Sequence, residues 1–493
     1  MKASQADPEE AQGSWSLNVR CGAATGTIHL KDDGMFSFTP DPTHGGGYHE
    51  QRRVANTQAN CENKGRRTRR ANARPHRSPI GWLFRLLRRP VQHQVIPADQ
   101  LLGARLESPC TLTVWFATPH TARMGCVTKH LFRVRQTPRF EASDPLAASE
   151  LVARVRRAAS WWGRDTPPHV AAIINPKAGR GGAAGLFHGR LLPLLRDVAG
   201  LRVSERLTEA AGHASALVRE LALNVAGGGV GGGGDGGDEG GVGGGAGDVP
   251  AADGVDLIMF VGGDGTLHEG LQGLFQRPDW ESARGIPLVA IPCGSGNGVA
   301  ASCGLWDVPT AVVAVCRGQV APVDVASVLQ PPDNRYYCLL SVVYGAMLPC
   351  LPTRLPDSPS SLPGGWQQLA DSFAIFGAYN TQYVALGARA NPGGLMADGA
   401  WEVWQLAAQG RRAGAGLRLR SLKVLLGVED GSFAKAAGVM HVTKARALLF
   451  QQRDDSTWTV LDGEAVREAP LYLEVHPRLC RLLVSPVFRE EPL

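Results

Sequence analysis

Long apolar runs are missing from this sequence. No stretch approaches the roughly 18 to 20 uninterrupted apolar residues that cross a bilayer, and the first ten residues lack the charged-then-apolar pattern of a secretory leader. Any membrane contact is therefore expected to be peripheral. The ten cysteines form no C-x-x-C pair and have no His at ligand spacing, which excludes a disulfide scaffold or zinc module and reads as reduced thiols in a cytoplasmic protein. With 493 residues, 44% of them apolar, the chain can build two or three domains with real cores, and a collagen-like or wholly disordered protein is excluded.

Charge is unevenly placed. The chain carries +6 overall, yet residues 52–89 hold twelve Lys/Arg against Glu62 alone, so the remainder is net negative. This basic run ends in Ile80-Gly-Trp-Leu-Phe-Arg-Leu-Leu-Arg-Arg89, where apolar and Arg residues mix as they do in segments that lie on an anionic membrane surface. A nucleic-acid partner is not expected, because the run has one Trp, one Phe and no nucleic-acid-binding motif. A second biased stretch, 227–248, has Gly at 15 of 22 positions and reads as a spacer inserted in a loop.

Short strand-like pieces at Ser16–Val19, Gly26–Leu30, Met35–Phe38, Gln94–Ile96, Thr111–Phe116 and Leu131–Gln136 precede a helix that starts at Asp144-Pro145. They predict a small pleckstrin-homology-like β domain over 1–166, with a basic insertion at about 41–90. From 167 to 322 strands alternate with helices: Val170–Ile174, Leu201–Thr208, Leu257–Val261 and Pro287–Ile291 against Leu186–Val198, His213–Leu223, Leu267–Phe275 and Val299–Val315. That rhythm predicts an α/β domain, a parallel sheet with flanking helices. Residues 323–487 then read as a mainly antiparallel β-sandwich, with strands expected at Ala321–Leu329, Tyr336–Val343, Tyr383–Ala388, Ala400–Ala407, Ala445–Phe450, Trp458–Leu461 and Leu471–Val475.

Three glycine-bearing turns follow three strands of the α/β region: Asn175-Pro-Lys-Ala-Gly-Arg-Gly181, Gly262-Gly-Asp-Gly-Thr266 and Pro292-Cys-Gly-Ser-Gly-Asn297. In a parallel sheet such turns gather at one edge. Their glycines let backbone N–H groups approach a polyanion, and Lys177 and Arg180 bring positive charge, so the cluster predicts a nucleotide-phosphate site. The turns match neither G-x-G-x-x-G nor G-x-x-x-x-G-K-[ST]. Asp264 is either a helix cap for the segment beginning near Leu267 or, beside a phosphate site, a carboxylate that accepts the proton of an attacking hydroxyl or positions Mg²⁺.

Together with Gly262-Gly-Asp-Gly-Thr-Leu-His-Glu269, these turns resemble the signatures of the diacylglycerol kinase-like lipid kinases. The strings Arg277-Pro-Asp-Trp-Glu281 and Ile291-Pro-Cys-Gly-Ser-Gly-Asn-Gly-Val-Ala-Ala301 are most similar to those of sphingosine kinases. Asp398-Gly399, Gly427-Val-Glu-Asp-Gly431 and Val460-Leu-Asp-Gly-Glu464 continue the resemblance in order. It implies ATP in a cleft between an α/β catalytic domain and a lipid-holding β-sandwich. It also implies phosphate contacts from Asn175, Lys177 and Arg180, and a nucleotide lining from Gly262, Gly263, Gly265, Thr266, Gly294, Ser295 and Gly296. Asp264 would be the base on a primary hydroxyl of a sphingoid long-chain base, while Asp462, Gly463 and Glu464 approach the nucleotide and the two carboxylates suit Mg²⁺. The alternative for Asp462-Gly463 is an ordinary β-turn.

One segment departs from the resemblance. After Ser341 to Gly345 the family continues with an acidic stretch that holds the lipid amine, followed by arginines. Here Asp357 is the only acid between 334 and 370, five prolines lie between 349 and 363, and no arginine follows Arg354 before Arg389. A buried unpaired ammonium costs several kcal/mol. Three readings stay open: Asp357 replaces the missing acid, with Ser341 also at the lipid; the substrate is a neutral lipid such as ceramide or diacylglycerol; or the chain is an inactive lipid- or nucleotide-binding homologue. Trp366, Phe373, Phe376 and Tyr379 lie where a lipid tail or an ordinary core would place them. His268 and His213 have no visible metal partner and read as helix residues.

Overall fold

The computed structural model describes residues 14–22, 24–41, 94–159, 162–224, 254–330, 333–344, 373–407, 414–435, 440–450, 459–466 and 470–489. The insertion beyond Asp41, the Gly-rich stretch and residues 346–370, with Asp357 and Trp366, lie outside them. Two compact units are present, the first made of residues up to 98 with 106–113 and 137–152, the second of 99–105, 114–136 and 153 onward.

In the first unit, β1 (Ser14–Cys21), β2 (Ala24–Lys31), β3 (Phe36–Pro40) and β4 (Gln94–Ile96) pair antiparallel in sequence order. Ile28, Leu30, Phe36 and Phe38 alternate inward with polar neighbours outward, the pattern of a sheet with one buried face. The chain continues through β5 (Leu101–Ser108), β6 (Thr111–Met124), β7 (Val127–Gln136) and β8 (Phe140–Ala142). β8 pairs with β1 and with Thr111–Leu112, and Phe140 packs on Phe38 with ring centroids 5.2 Å apart. A helix, Pro145–Ala158, follows with the Asp144 carboxylate capping the N–H of Ala147.

The second unit is built on a mixed sheet. β9 (His169–Ile174), β10 (Arg202–Leu207), β11 (Leu257–Gly262) and β12 (Pro287–Pro292) are parallel in the order β10-β9-β11-β12. The apolar residues of β9, β11 and β12 are continuous and buried, as strands covered on both faces require. Next come β13 (Val320–Gln330), β14 (Asn334–Cys338), β15 (Ser341–Tyr344), β16 (Phe373–Tyr379), β17 (Trp401–Ala407), β18 (His441–Ala445), β19 (Ala447–Phe450), β20 (Thr459–Leu461), β21 (Glu464–Val466) and β22 (Leu471–Leu483). β22 joins the sheet parallel to β12 and antiparallel to β13, with β14 and β19 on the flanks. The others form a six-stranded antiparallel sheet, β18-β17-β16-β15-β20-β21.

β13 and β22 run through both cores. Val323, Val325, Cys480 and Leu482 belong to the core of the α/β layer, whereas Ala326, Val328, Leu471 and Leu473 pack with Val342, Phe376, Trp401 and Leu461 inside the sandwich. The register shifts at Asp324, between the two cores. Its buried carboxylate accepts from the N–H groups of Gly399 and Arg478, at 2.6 and 2.7 Å.

Several elements differ from expectation. Tyr336–Val343 is divided into β14 and β15, which lie in different sheets, because Leu339 and Leu340 donate to a side chain instead of a ladder. Tyr383–Ala388 is a tight turn closed by Val384 N–H on the Ala388 carbonyl, not a strand. Val299–Val315 is two helices, Gly298–Ser302 and Val308–Arg317, separated at Gly304 (φ +72°) and restarted by Asp307, whose carboxylate caps Thr310. The helix Gly414–Gly427 has no counterpart in the sequence-based expectation.

Candidate active site

From β9 the chain crosses to β10 on one side, then returns past β9 to β11 on the other. Strand order reverses there, and the crevice beyond the carboxyl ends of strands at such a switch point is where open α/β sheets bind ligands. All three glycine-bearing turns meet at this edge. Asn175 bridges the first two, its N–H on the Val261 carbonyl and its Nδ2 3.3 Å from Thr266 Oγ1. A Cβ on Gly179 would lie 2.2 Å from the Cys293 carbonyl oxygen, and one on Gly294 would lie 2.3 Å from Gly263 Cα. Only glycine permits these approaches.

The third turn is closed by Asn297, which adopts φ +63° and clasps Gly294 on both sides: its Oδ1 accepts from Gly294 N–H at 2.8 Å and its Nδ2 donates to the Gly294 carbonyl at 2.7 Å. The motif alone gives Asn297 no role, although Asn's tolerance of left-handed backbone is a usable signal. Cys293 is no nucleophile here, since burial pushes its thiol up to about 11. Ser295 is exposed at the tip. In the first turn Lys177 and Arg180 are exposed, and Gly179 and Arg180 are consecutive left-handed residues.

Asp264 begins the helix Asp264–Phe275 and does cap a helix, though not its own. Its Oδ2 accepts from Gly298 N–H at 2.8 Å and its Oδ1 from Val299 N–H at 3.1 Å, both at the start of Gly298–Ser302. A carboxylate has about four acceptor positions, so these bonds do not fill it. Burial raises the Asp264 pKa above the usual carboxylate range, the N–H groups of Gly298, Val299 and, more weakly, Asn297 oppose that rise, and the charge of Asp462 adds to it.

Asp462 and Gly463, with φ +52° and +97°, form the two-residue turn of the β20–β21 hairpin. The Asp462 carboxylate is buried and accepts from four donors: Leu340 and Ser341 N–H on Oδ1, Leu339 N–H and His268 Nδ1 on Oδ2. Its acceptor positions are filled, leaving none for direct metal ligation. Glu464, by contrast, is exposed, and its Oε1 stands 2.7 Å from where a Cβ on Gly265 would be. The ligand atoms of His268, Cys338 and Asp462 lie within 4.8 Å of one another, but with Asp462 saturated and burial holding the Cys338 thiol protonated they make no open metal site.

Residues 169–239 and 248–328 match the family model of the diacylglycerol kinase catalytic domain. Over these residues the chain is similar to a diacylglycerol kinase catalytic domain. A stretch of 189 residues is 32% identical to human sphingosine kinase 2, covering 36% of this chain and 24% of that protein. A shorter one of 76 residues is 50% identical to sphingosine kinase B of Dictyostelium discoideum, covering 15% of this chain and 10% of that protein. The chain thus spans about a quarter or less of the length of these two curated relatives. Among solved structures, a putative diacylglycerol kinase from Bacillus anthracis aligns with TM-score 0.44 and 19% identity over 65% of this chain and 99% of its own.

Several residues in and near the motifs prove to be architectural. Arg277 is buried, holds Asp279 through two nitrogens and donates to the carbonyls of Val218, Arg219 and Leu221, closing the end of helix His213–Glu220. Gln272 takes Tyr337 N–H and donates to its carbonyl, fastening helix Asp264–Phe275 to β14. Ser341 sits in the Asp462 turn through its backbone N–H. The aromatic candidates divide along β16, where a register shift lies between Phe373 and Ile375. Phe373 and Phe376 are core, packed with Phe450, while Tyr379 turns to the other face with Trp404, Val424 and Phe433.

Proposed function

We propose that the chain is a Mg-ATP-dependent lipid kinase that phosphorylates the primary hydroxyl of a sphingoid long-chain base. One observation carries the reading: the Asp264 carboxylate, held by two N–H groups yet with acceptor capacity left and a raised pKa, stands where three glycine turns meet at the sheet's switch point. The oxygen of the lipid hydroxyl attacks the terminal phosphorus of ATP, the bond from phosphorus to the ADP oxygen breaks, and the hydroxyl proton passes to Asp264. Helix Gly298–Ser302 fixes the orientation of that carboxylate, and Asn175, Lys177 and Arg180 bind the phosphates. Gly262, Gly263, Gly265, Thr266, Gly294, Ser295 and Gly296 let the nucleotide approach the backbone. Glu464 is the carboxylate that fits Mg²⁺, while Asp462 and Gly463 position it. The ion, when bound, neutralises phosphate charge.

The altered stretch around Asp357 favours a second reading in which the acceptor is a neutral lipid, ceramide or diacylglycerol. Either acceptor places the enzyme in the cytoplasm at a membrane surface, with residues 52–89 attracted to anionic lipid. Transfer of labelled phosphate from ATP with Mg²⁺ to sphingosine, ceramide and diacylglycerol in parallel, with Asp264→Asn as control, tests it. Selective labelling of sphingosine supports the first reading and labelling of a neutral lipid the second. No transfer to any, with ATP binding intact, overturns both.

A further inference from the structure

The helix Gly414–Gly427 is apolar on the side where a surface helix is normally polar. Val424 points inward, onto Tyr379, Trp404 and Phe433. Leu419, Leu422 and Leu426, spaced by three and four residues and so on one face, are 56%, 49% and 76% exposed, and neighbouring Leu425 is 43% exposed. Of the fourteen large hydrophobics exposed among the described residues, four belong to this one helix, so they are a patch and not scatter. Arg418 and Lys423 flank the leucine stripe, Arg420 adds a third cation, and no Asp or Glu occurs between 403 and 428.

We propose that this helix is a membrane-docking surface that lies flat in the interface of an anionic bilayer, leucines in the acyl boundary and Arg418 and Lys423 at the phosphates. A leucine stripe bordered by cations with no acid fits that occupant on both counts. Burial of apolar side chains supplies the insertion, and cations at its edges meet lipid phosphates while their stems cover apolar surface. A protein partner would have to offer an apolar groove rimmed by acids, whereas a bilayer presents both properties over its whole face. At 1.5 Å per residue the helix is about 21 Å long and lies in the plane rather than crossing it. The helix is a different stretch of the chain from the basic 52–89 run, and the proposal stands on its own geometry, independent of the phosphotransfer reading.

The test uses the full chain with phosphatidylcholine vesicles, with and without phosphatidylserine. Flotation measures binding, and hydrogen exchange of peptides within 414–427 localises it, which separates this helix from the 52–89 run. Vesicles containing phosphatidylserine should slow exchange in this helix. The combined substitutions Leu419→Ser, Leu422→Ser and Leu426→Ser should weaken vesicle binding about tenfold. Arg418→Glu with Lys423→Glu should weaken binding only where phosphatidylserine is present. Thermal melting of the variants should match the parent, because these side chains are exposed. Exchange unchanged by vesicles, or undiminished binding of the leucine variant, overturns the proposal. So does a concentration-dependent dimer that the leucine variant abolishes, which would make the face a contact between copies. ATP turnover on detergent-dispersed lipid is read separately, so failure of docking and failure of the kinase reading are distinguishable.

Discussion

His268 Nδ1 donates to Asp462 Oδ2 at 3.2 Å, a bond across 194 positions that ties the helix of the Gly-Gly-Asp-Gly turn to the hairpin carrying Glu464. Burial works to lower the His268 pKa, but the hydrogen bond and charge of Asp462, with Glu464 and Glu269, raise it overall. A raised histidine contributes stability that is full below its unfolded value of about 6.5 and is lost as pH rises through the native value. His268→Leu is expected to cost about 1.5–3 kcal/mol in urea unfolding, with the largest deficit near pH 5.5 and a smaller one near pH 8.5. A deficit that does not change with pH would remove the charged pair from the account.

Asp462 and Glu464 should behave differently although they are two residues apart. Asp462→Ala strips the acceptor from three main-chain N–H groups, at Leu339, Leu340 and Ser341, and is expected to cost at least about 3 kcal/mol. Glu464→Gln, at an exposed position, should change stability by about 0.5 kcal/mol or less. It should instead raise the Mg²⁺ concentration needed for half-maximal transfer. Equal unfolding midpoints for the two variants would contradict the saturation of Asp462.

The glycine contacts make a paired test. Gly294→Ala puts a Cβ 2.3 Å from Gly263 Cα, so the two turns must separate, at about 1–3 kcal/mol and with loss of ATP binding by calorimetry. Gly185→Ala, in a helix with nothing within 4 Å of the added carbon, should raise stability by about 0.5–1 kcal/mol and leave ATP binding alone. Comparable losses in both variants would mean that close approach is not what the turns require.

How much of this was readable beforehand follows from the range of the interactions. β9, β11 and β12 are legible because each is a short apolar run followed by its own glycine turn, and parallel pairing then brings the turns together. β14 and β15 merge in sequence because the group that separates them, the Asp462 carboxylate, comes more than 120 residues later. Helix Gly414–Gly427 escapes a periodicity search because Val424 on one side and Leu419, Leu422 and Leu426 on the other erase the polar–apolar contrast. Asp264 was legible as a cap or a base, but not as the cap of a helix 34 residues further on.

That last contact shapes the prediction for Asp264 itself. Gly298 and Val299 N–H hold one acceptor position on each oxygen, so Asp264→Asn keeps an acceptor for one of them but points an amide at the other. The fold should survive with ATP bound as before. A general base contributes about 10²–10⁴-fold, so transfer should fall by that order with little change in KM for ATP. In the parent protein the raised pKa of Asp264 should appear as an acid limb in kcat/KM, with activity falling as pH drops through a value above the ordinary Asp value of about 3.9. A limb at the ordinary carboxylate value, or an Asn variant as active as the parent, would take the proton away from Asp264 and leave it only the capping role.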